Sequence, residues 1–203
     1  MNRAEHWNAV HRRRPVAGAS WFAPHLERSL ALVRAVAGPA ARILDVGGGA
    51  STLVDDLLAL GYANLTVLDL SPAALAAARA RLGPRADAVR WRVGDVLELD
   101  LGEERFEVWH DRAMFHFLTA PAERRAYAEL ASRALAPGGH AIVATFAADG
   151  PRRCSGLDVA RYDAPTLERE LGPALALVSA QRETHLTPAG VEQEFLYALF
   201  RRS

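Results

Sequence analysis

The chain has 203 residues, half of them apolar and about a quarter charged, which is enough for one sizeable core and short for two. Lysine plus arginine equals aspartate plus glutamate, 24 of each, so no global field favours nucleic acid or an anionic membrane. Cys154 is the only cysteine, which excludes an intrachain disulfide and a cysteine-based metal cluster, and fits a reducing, cytoplasmic setting with no metal expected.

In chain order, residues 1–20 are polar and basic and read as a short helix followed by a loop from Pro15 to Ser20. The run His11-Arg12-Arg13-Arg14 is read as a solvated face or a pocket mouth. This N-terminus lacks the apolar core of a signal peptide, and no later segment approaches the ~18 uninterrupted apolar residues of a membrane span. Leu26, Leu30, Val33 and Ala37 share a helical stripe that Gly38-Pro39 ends. A strand follows from Ala41 to Val46.

Gly47-Gly48-Gly49 then breaks the chain, and Leu53, Leu57 and Leu58 open a buried helix that stops at Gly61. Leu65 to Leu68 is a second strand ending at Asp69. Ser71-Pro72 is a helix entry, a hydroxyl cap followed by a proline in the first turn, and the helix closes at Gly83-Pro84. Val89, Trp91 and Val93 alternate as a third strand before Gly94-Asp95. Phe106 to Trp109 is a fourth strand that opens into His110-Asp111-Arg112.

A helix spans Pro121 to Leu135, and Pro137-Gly138-Gly139 turns into a fifth strand, Ala141 to Phe146. Strands alternating with helices predict a doubly wound, mostly parallel α/β sheet, Rossmann-like, of about seven strands. Residues 149–162 read as a long polar loop. Asp163 caps a short helix ending at Leu171-Gly172, and two runs, Leu175 to Glu183 and Gln193 to Phe200, form an antiparallel pair. The whole chain is read as one domain, with residues 1–38 covering a core at 39–203.

Three acids carry the function. Asp45, Asp69 and Asp95 each follow an apolar β-type run, and in an open parallel sheet ligands sit beyond the carboxyl ends of the strands. Glycines there let a ligand lie on bare main chain, while the helix behind offers unpaired N–H groups. Asp69 lies about 20 residues after the glycines, the spacing of a ribose-binding acid. A dinucleotide site would need glycine where Thr52 stands, and Asp45 would repel a pyrophosphate. A nucleoside with a positive, amino-acid-like group suits the set better.

Asp45-Val46-Gly47-Gly48-Gly49-Ala50-Ser51 resembles the first motif of class I S-adenosylmethionine-dependent methyltransferases. Asp69 after Thr66-Val67-Leu68 looks like that family's ribose acid, and Gly94-Asp95-Val96 like its adenine motif. The resemblance implies S-adenosylmethionine bound by Asp45, Gly47, Gly49, Ser51, Asp69, Leu70, Asp95 and Val96. A finer likeness, Trp109-His110-Asp111-Arg112-Ala113 with Arg125 and Tyr127, is to the thiopurine methyltransferase-like group. Its cofactor-covering segment is similar to the stretch holding Trp7 and Trp21. A related pattern in some protein-lysine methyltransferases leaves the substrate open.

Methyl transfer from a sulfonium asks the protein to position a nucleophile and strip its water. His110, Asp111 and Arg112, expected at the exit of the fourth strand, are the candidate catalytic groups. Asp111 paired with Arg112 and a packed His110 are the competing structural readings. Trp7, His116, Arg152, Arg153 and Cys154 are candidate acceptor contacts, with Cys154 either activated by its neighbouring cations or simply buried. The expected acceptor is a small molecule with a thiol, amine or similar nucleophile. A protein lysine, a nicotinamide-dependent oxidoreductase and a non-catalytic cofactor-binding module are the alternatives.

Overall fold

The computed structural model describes residues 2–13, 16–98 and 100–203. Arg14 of the basic run and Pro15 at the start of the expected loop lie outside them. The N-terminal segment holds α1 (Arg3–Arg13) and α2 (Glu27–Val36). The core follows as β1 (Arg42–Val46), α3 (Leu53–Ala59), β2 (Asn64–Asp69), α4 (Pro72–Leu82) and β3 (Val89–Val93). Next come β4 (Phe106–Arg112), α5 (Pro121–Ala134) and β5 (Leu135–Phe146).

A two-residue pair, β6 (Arg153–Cys154) and β7 (Leu157–Asp158), precedes α6 (Ala164–Leu171), β8 (Leu175–Leu186) and β9 (Glu192–Arg202). Seven strands make one sheet in the order β3-β2-β1-β4-β5-β9-β8. The first five are parallel, and β9 runs antiparallel to both β5 and β8. The order reverses at β1, between β2 and β4, so the carboxyl ends of those strands flank the switch point where an α/β sheet receives its ligand.

Helices cover both faces, and the alternation along each strand sorts residues between them. Ile43, Val67, Val108 and Ile142 pack with Val33 of α2 and with Leu53 and Leu57 of α3. Leu44, Trp109 and Val143 pack on the opposite face with Tyr127 of α5 and Leu167 of α6. Ser71 caps α4 as its sequence predicts, its hydroxyl oxygen accepting from the Ala74 N–H at 3.2 Å, an interaction worth about 1 kcal/mol.

Three expectations change. The fourth strand extends to Arg112, so His110, Asp111 and Arg112 are part of β4 rather than its exit. The apolar partners on either side explain the extension, since β1 and β5 both pair with β4 through Asp111. The turn at Pro137 to Gly139 lies inside β5, where the register against β4 jumps from Phe106↔Leu135 to Val108↔His140. The polar loop at 149–162 contains the β6–β7 pair. Among the described residues no helix is long and apolar enough to cross a membrane.

Candidate functional site

The glycine turn leaves β1 in a conformation that a side chain would not tolerate. Gly49 has φ +44, and a Cβ there would lie 2.7 Å from Asp69 Oδ2. Gly48 is equally confined, because a Cβ on it would meet Asp45 Cγ at 2.7 Å and Val67 Cγ1 at 2.9 Å. Gly48 belongs to the motif without being among the expected ligand contacts, and its missing side chain is the room in which the Asp45 carboxylate sits. Gly48→Ala is therefore expected to destabilise by ~1–3 kcal/mol through overpacking. At about 2–4 °C per kcal/mol for a chain of this size, thermal melting reads the loss directly, and an unchanged Tm refutes the close approach.

Asp45 is 5% exposed. Its Oδ1 lies 2.7 Å from His110 Nδ1, while its Oδ2 is buried with no partner among the described residues. A buried carboxylate oxygen left unpaired is costly, which makes it a place for an incoming donor. Asp69 Oδ1 accepts from the Ser71 N–H at 2.7 Å. Burial pushes its pKa up to about 7, the charge of Asp45 adds to the rise, and the Ser71 N–H opposes it. Asp95 Oδ1 accepts from the Leu97 N–H at 2.9 Å, an Asx turn.

These acids line one cavity of about 1130 Å³, its mouth included, together with Gly47, Ser51, Leu70 and Val96. The far wall comes from Trp7, His11, Trp21, Phe22, Met114 and Phe117. Thus residues of the N-terminal segment roof a site whose floor is the switch point.

That roof is tied down by contacts distant in sequence. Asn8 Oδ1 accepts from Ser71 Oγ at 2.9 Å and from the Ala73 N–H at 3.3 Å, fastening α1 to the start of α4. Arg3 pairs with Glu123 on α5. Thr52 Oγ1, at the position where a dinucleotide site needs glycine, donates to the Ala23 carbonyl at 2.9 Å. Trp7 meets Phe117 edge to face at 4.9 Å.

His110 and Arg112 share the cavity face of β4, and each is fixed by hydrogen bonds to neighbouring elements. An ionised Asp45 can only accept, so His110 Nδ1–H donates to it, and His110 Nε2 faces Ser29 Oγ of α2 at 2.9 Å. The Tyr197 hydroxyl stands near Ser29. That hydroxyl accepts from Arg112 Nε at 2.9 Å, and Arg112 Nη1 donates to the Trp21 carbonyl at 2.9 Å. The guanidinium lies 4.6 Å from the centre of the Phe195 ring. His110 thus ties the floor acid to α2, and Arg112 ties β9 to the roof at Trp21.

Asp111 points the other way. Its carboxylate accepts from the Tyr127 hydroxyl at 2.7 Å, from the Met114 N–H at 3.0 Å and from the Phe115 N–H at 3.1 Å, and Tyr127 accepts in turn from Trp109 Nε1 at 2.8 Å. Burial raises its pKa to about 6 in spite of these donors. Neither a catalytic placement nor an ion pair with Arg112 survives, because consecutive strand residues face opposite sides of the sheet.

His116 is likewise outside the cavity. It is wholly buried, with ring centres of Phe117 and Phe146 at 4.5 and 4.7 Å. Burial, then the charge of Arg112, lowers its pKa to about 3. Arg153 pairs with Asp158 at 3.2 Å, and Arg152 lies on a separate shallow depression beside Arg161. Of that acceptor group, Trp7 and Cys154 do line the cavity, since Cys154 faces inward where Arg153 faces out. Its thiol is not activated, because burial pushes the pKa up.

Residues 43–139 match the family described as "Methyltransferase domain". Over 140 residues, 68% of this chain and 50% of the relative, the chain is 31% identical to the ubiquinone/menaquinone biosynthesis C-methyltransferase of Roseobacter denitrificans. It spans about half the length of the curated relatives it matches. A solved structure concerned with converting a disulfide bond into a thioacetal group during echinomycin biosynthesis superposes with a TM-score of 0.81 at 25% identity, covering 98% of this chain and 93% of that one. The N-methyltransferase NodS of Bradyrhizobium japonicum, solved with S-adenosyl-L-homocysteine, gives 0.74 at 23% identity over 96% and 97%. At that identity it shows the shared fold.

Proposed function

We propose that this chain, whose residues 43–139 match the methyltransferase-domain family, is a class I S-adenosylmethionine-dependent methyltransferase that transfers the methyl group of S-adenosylmethionine to a small-molecule nucleophile. The observation that carries this reading is the unpaired, buried Asp45 Oδ2 beside the glycine turn. It is an acceptor waiting for a cationic donor, and it shares a cavity with Asp69 and Asp95. A pyrophosphate would meet a carboxylate at that point, which speaks against the nicotinamide reading.

When bound, S-adenosylmethionine supplies an electrophilic methyl group on a positively charged sulfur. Asp45 takes the ammonium of its amino-acid end, held in place by His110. Asp69 takes the ribose hydroxyls, Asp95 takes the exocyclic amine of adenine, and Leu70 and Val96 wall the base. The backbone of Gly47, Gly49 and Ser51 lies against the ligand. The roof formed by Trp7, His11, Trp21 and Phe22 encloses the second reactant and excludes water, which favours a compact acceptor over a peptide. A reducing, cytoplasmic setting, read from the single cysteine, completes the proposal.

Calorimetric titration with S-adenosylhomocysteine tests it. Micromolar binding is expected, and Asp69→Ala is expected to weaken it by ~1–3 kcal/mol, the value of a charged hydrogen bond, or roughly 5- to 150-fold. No heat from a folded wild-type protein refutes the assignment.

A further inference from the structure

Resting on the methyl-transfer reading, we propose that the half of the cavity away from the three acids receives a flat, aromatic acceptor without positive charge, and that His11 takes the proton its nucleophilic atom must lose. The shape of that half comes first. Trp7, Trp21, Phe22, Met114 and Phe117 wall it. Trp7 and Phe117 stand edge to face at 4.9 Å, and His11 lies 6.3 Å from Trp7 and 5.6 Å from Trp21, centre to centre. Such a lining matches the face and edge of a planar ring.

Charge comes second. All the carboxylates lining the cavity, Asp45, Asp69 and Asp95, are on the cofactor side. The lining charge beside the aromatic wall is Arg112 of β4, which bonds the Trp21 carbonyl, while Arg3, on the same helix as His11, is offset by Glu123. A cationic acceptor there finds the like charge of Arg112 and no lining carboxylate, in addition to the sulfonium it must approach. An acceptor bearing an uncharged O–H, N–H or S–H avoids that repulsion, and its proton then needs somewhere to go.

The polar groups of the lining narrow the destination to one. Arg3 is held by Glu123, and Arg112 by the Tyr197 hydroxyl and the Trp21 carbonyl. Cys154, facing from β6, keeps its own proton because burial raises its pKa. Both ring nitrogens of His110 are engaged. His11 alone has neither an ionic nor a hydrogen-bond partner among the described residues, and burial lowers its pKa, so the imidazole is uncharged at neutral pH and able to accept.

The step then balances. A lone pair of the acceptor forms the new bond to the methyl carbon as the sulfur–methyl bond breaks and its electron pair returns to sulfur. The acceptor's proton passes to His11, which releases it to water once product leaves. A nucleophile that is already ionised bypasses the transfer, and this separates a base from a wall.

Two arms test the proposal on the full chain. In the first, the protein saturated with S-adenosylhomocysteine is titrated with 4-methylphenol and with benzylamine at pH 7.5. The phenol is expected to bind at least about ten-fold more tightly than the amine, and Trp7→Ala to weaken the phenol by at least about ten-fold. In the second, S-adenosylmethionine is supplied at pH 8 and methylated product is followed by mass spectrometry. His11→Gln is expected to slow methylation of 4-methylphenol by about 100-fold but that of thiophenol, already a thiolate, by less than about three-fold.

Equal binding of benzylamine overturns the proposal. So does an equal loss on both nucleophiles, or no methylation of either ring by a protein that binds S-adenosylhomocysteine. Failure to bind S-adenosylhomocysteine overturns the methyl-transfer reading itself.

Discussion

Asp111→Ala is expected to lower the stability of the fold by ~3–5 kcal/mol, with a fall in Tm of roughly 6–20 °C at 2–4 °C per kcal/mol. The carboxylate gathers three buried donors: the Tyr127 hydroxyl, the Met114 N–H and the Phe115 N–H. Its removal leaves all three without a partner in a region where Asp111, Tyr127 and Phe115 have essentially no exposure. Each orphaned donor costs ~1–3 kcal/mol, offset in part because the charged group itself is expensive to bury. Tyr127→Phe removes one donor and strands the indole N–H of Trp109, so it should cost less, ~1–3 kcal/mol. The comparison separates support from chemistry. Melting unchanged in Asp111→Ala, with methyl transfer abolished, would restore Asp111 to the catalytic group and refute the structural assignment.

The same residue shows where sequence reasoning stopped. Asp45, Asp69 and Asp95 were legible because each closes a short apolar run before turn residues, a signal contained within a few positions. In the triplet after Trp109 the alternation was equally readable, and it requires His110 and Arg112 to share a face that Asp111 does not. Which face meets the cavity depends on the packing of α2 against one side and α5 against the other, through Ser29 and Tyr127. These contacts join residues 81 and 16 apart in sequence. The contacts that fix His110 and Arg112 are therefore tertiary.

His11 is a different kind of omission. Reading it as part of a basic run hid a helical stripe, since Arg3, Trp7 and His11 recur every four residues on α1 and all three reach the cavity. The exposed Arg12 and Arg13 dominated the composition of the run while facing away. Likewise Arg152 and Arg153 were conspicuous in sequence, but the short β6 turns Cys154 inward in their place. In both stretches the periodicity carried the information and the charge distracted from it.

Cofactor affinity should depend on pH through Asp69. Burial, with the charge of Asp45 added, lifts this carboxyl from its ordinary range to about 7 in the protein without ligand. Two ribose hydroxyls donating to it favour the ionised form, so binding lowers the pKa again and expels a proton. The sign follows. Below pH 7 the ligand must first displace that proton, and affinity for S-adenosylhomocysteine falls about ten-fold per pH unit, or about 100-fold from pH 7 to 5; above pH 7 it levels off.

Without ligand the shift acts on folding in the opposite sense. The unfolded aspartate titrates near 3.9 and the folded one at about 7. The proton's stabilising contribution is therefore full below pH ~4 and lost as pH rises through 7. Ligand binding makes up that loss at neutral pH, so the cofactor should raise Tm more at pH 7.5 than at pH 5.5. Calorimetry in buffers of different ionisation enthalpy reads the proton directly, with nearly one released per ligand at pH 6 in the wild type and close to none in Asp69→Asn. An affinity that stays flat from pH 5 to 8 in the wild type would exclude Asp69 from the ribose contact and leave Asp45 and the glycine turn to hold the ligand from one end.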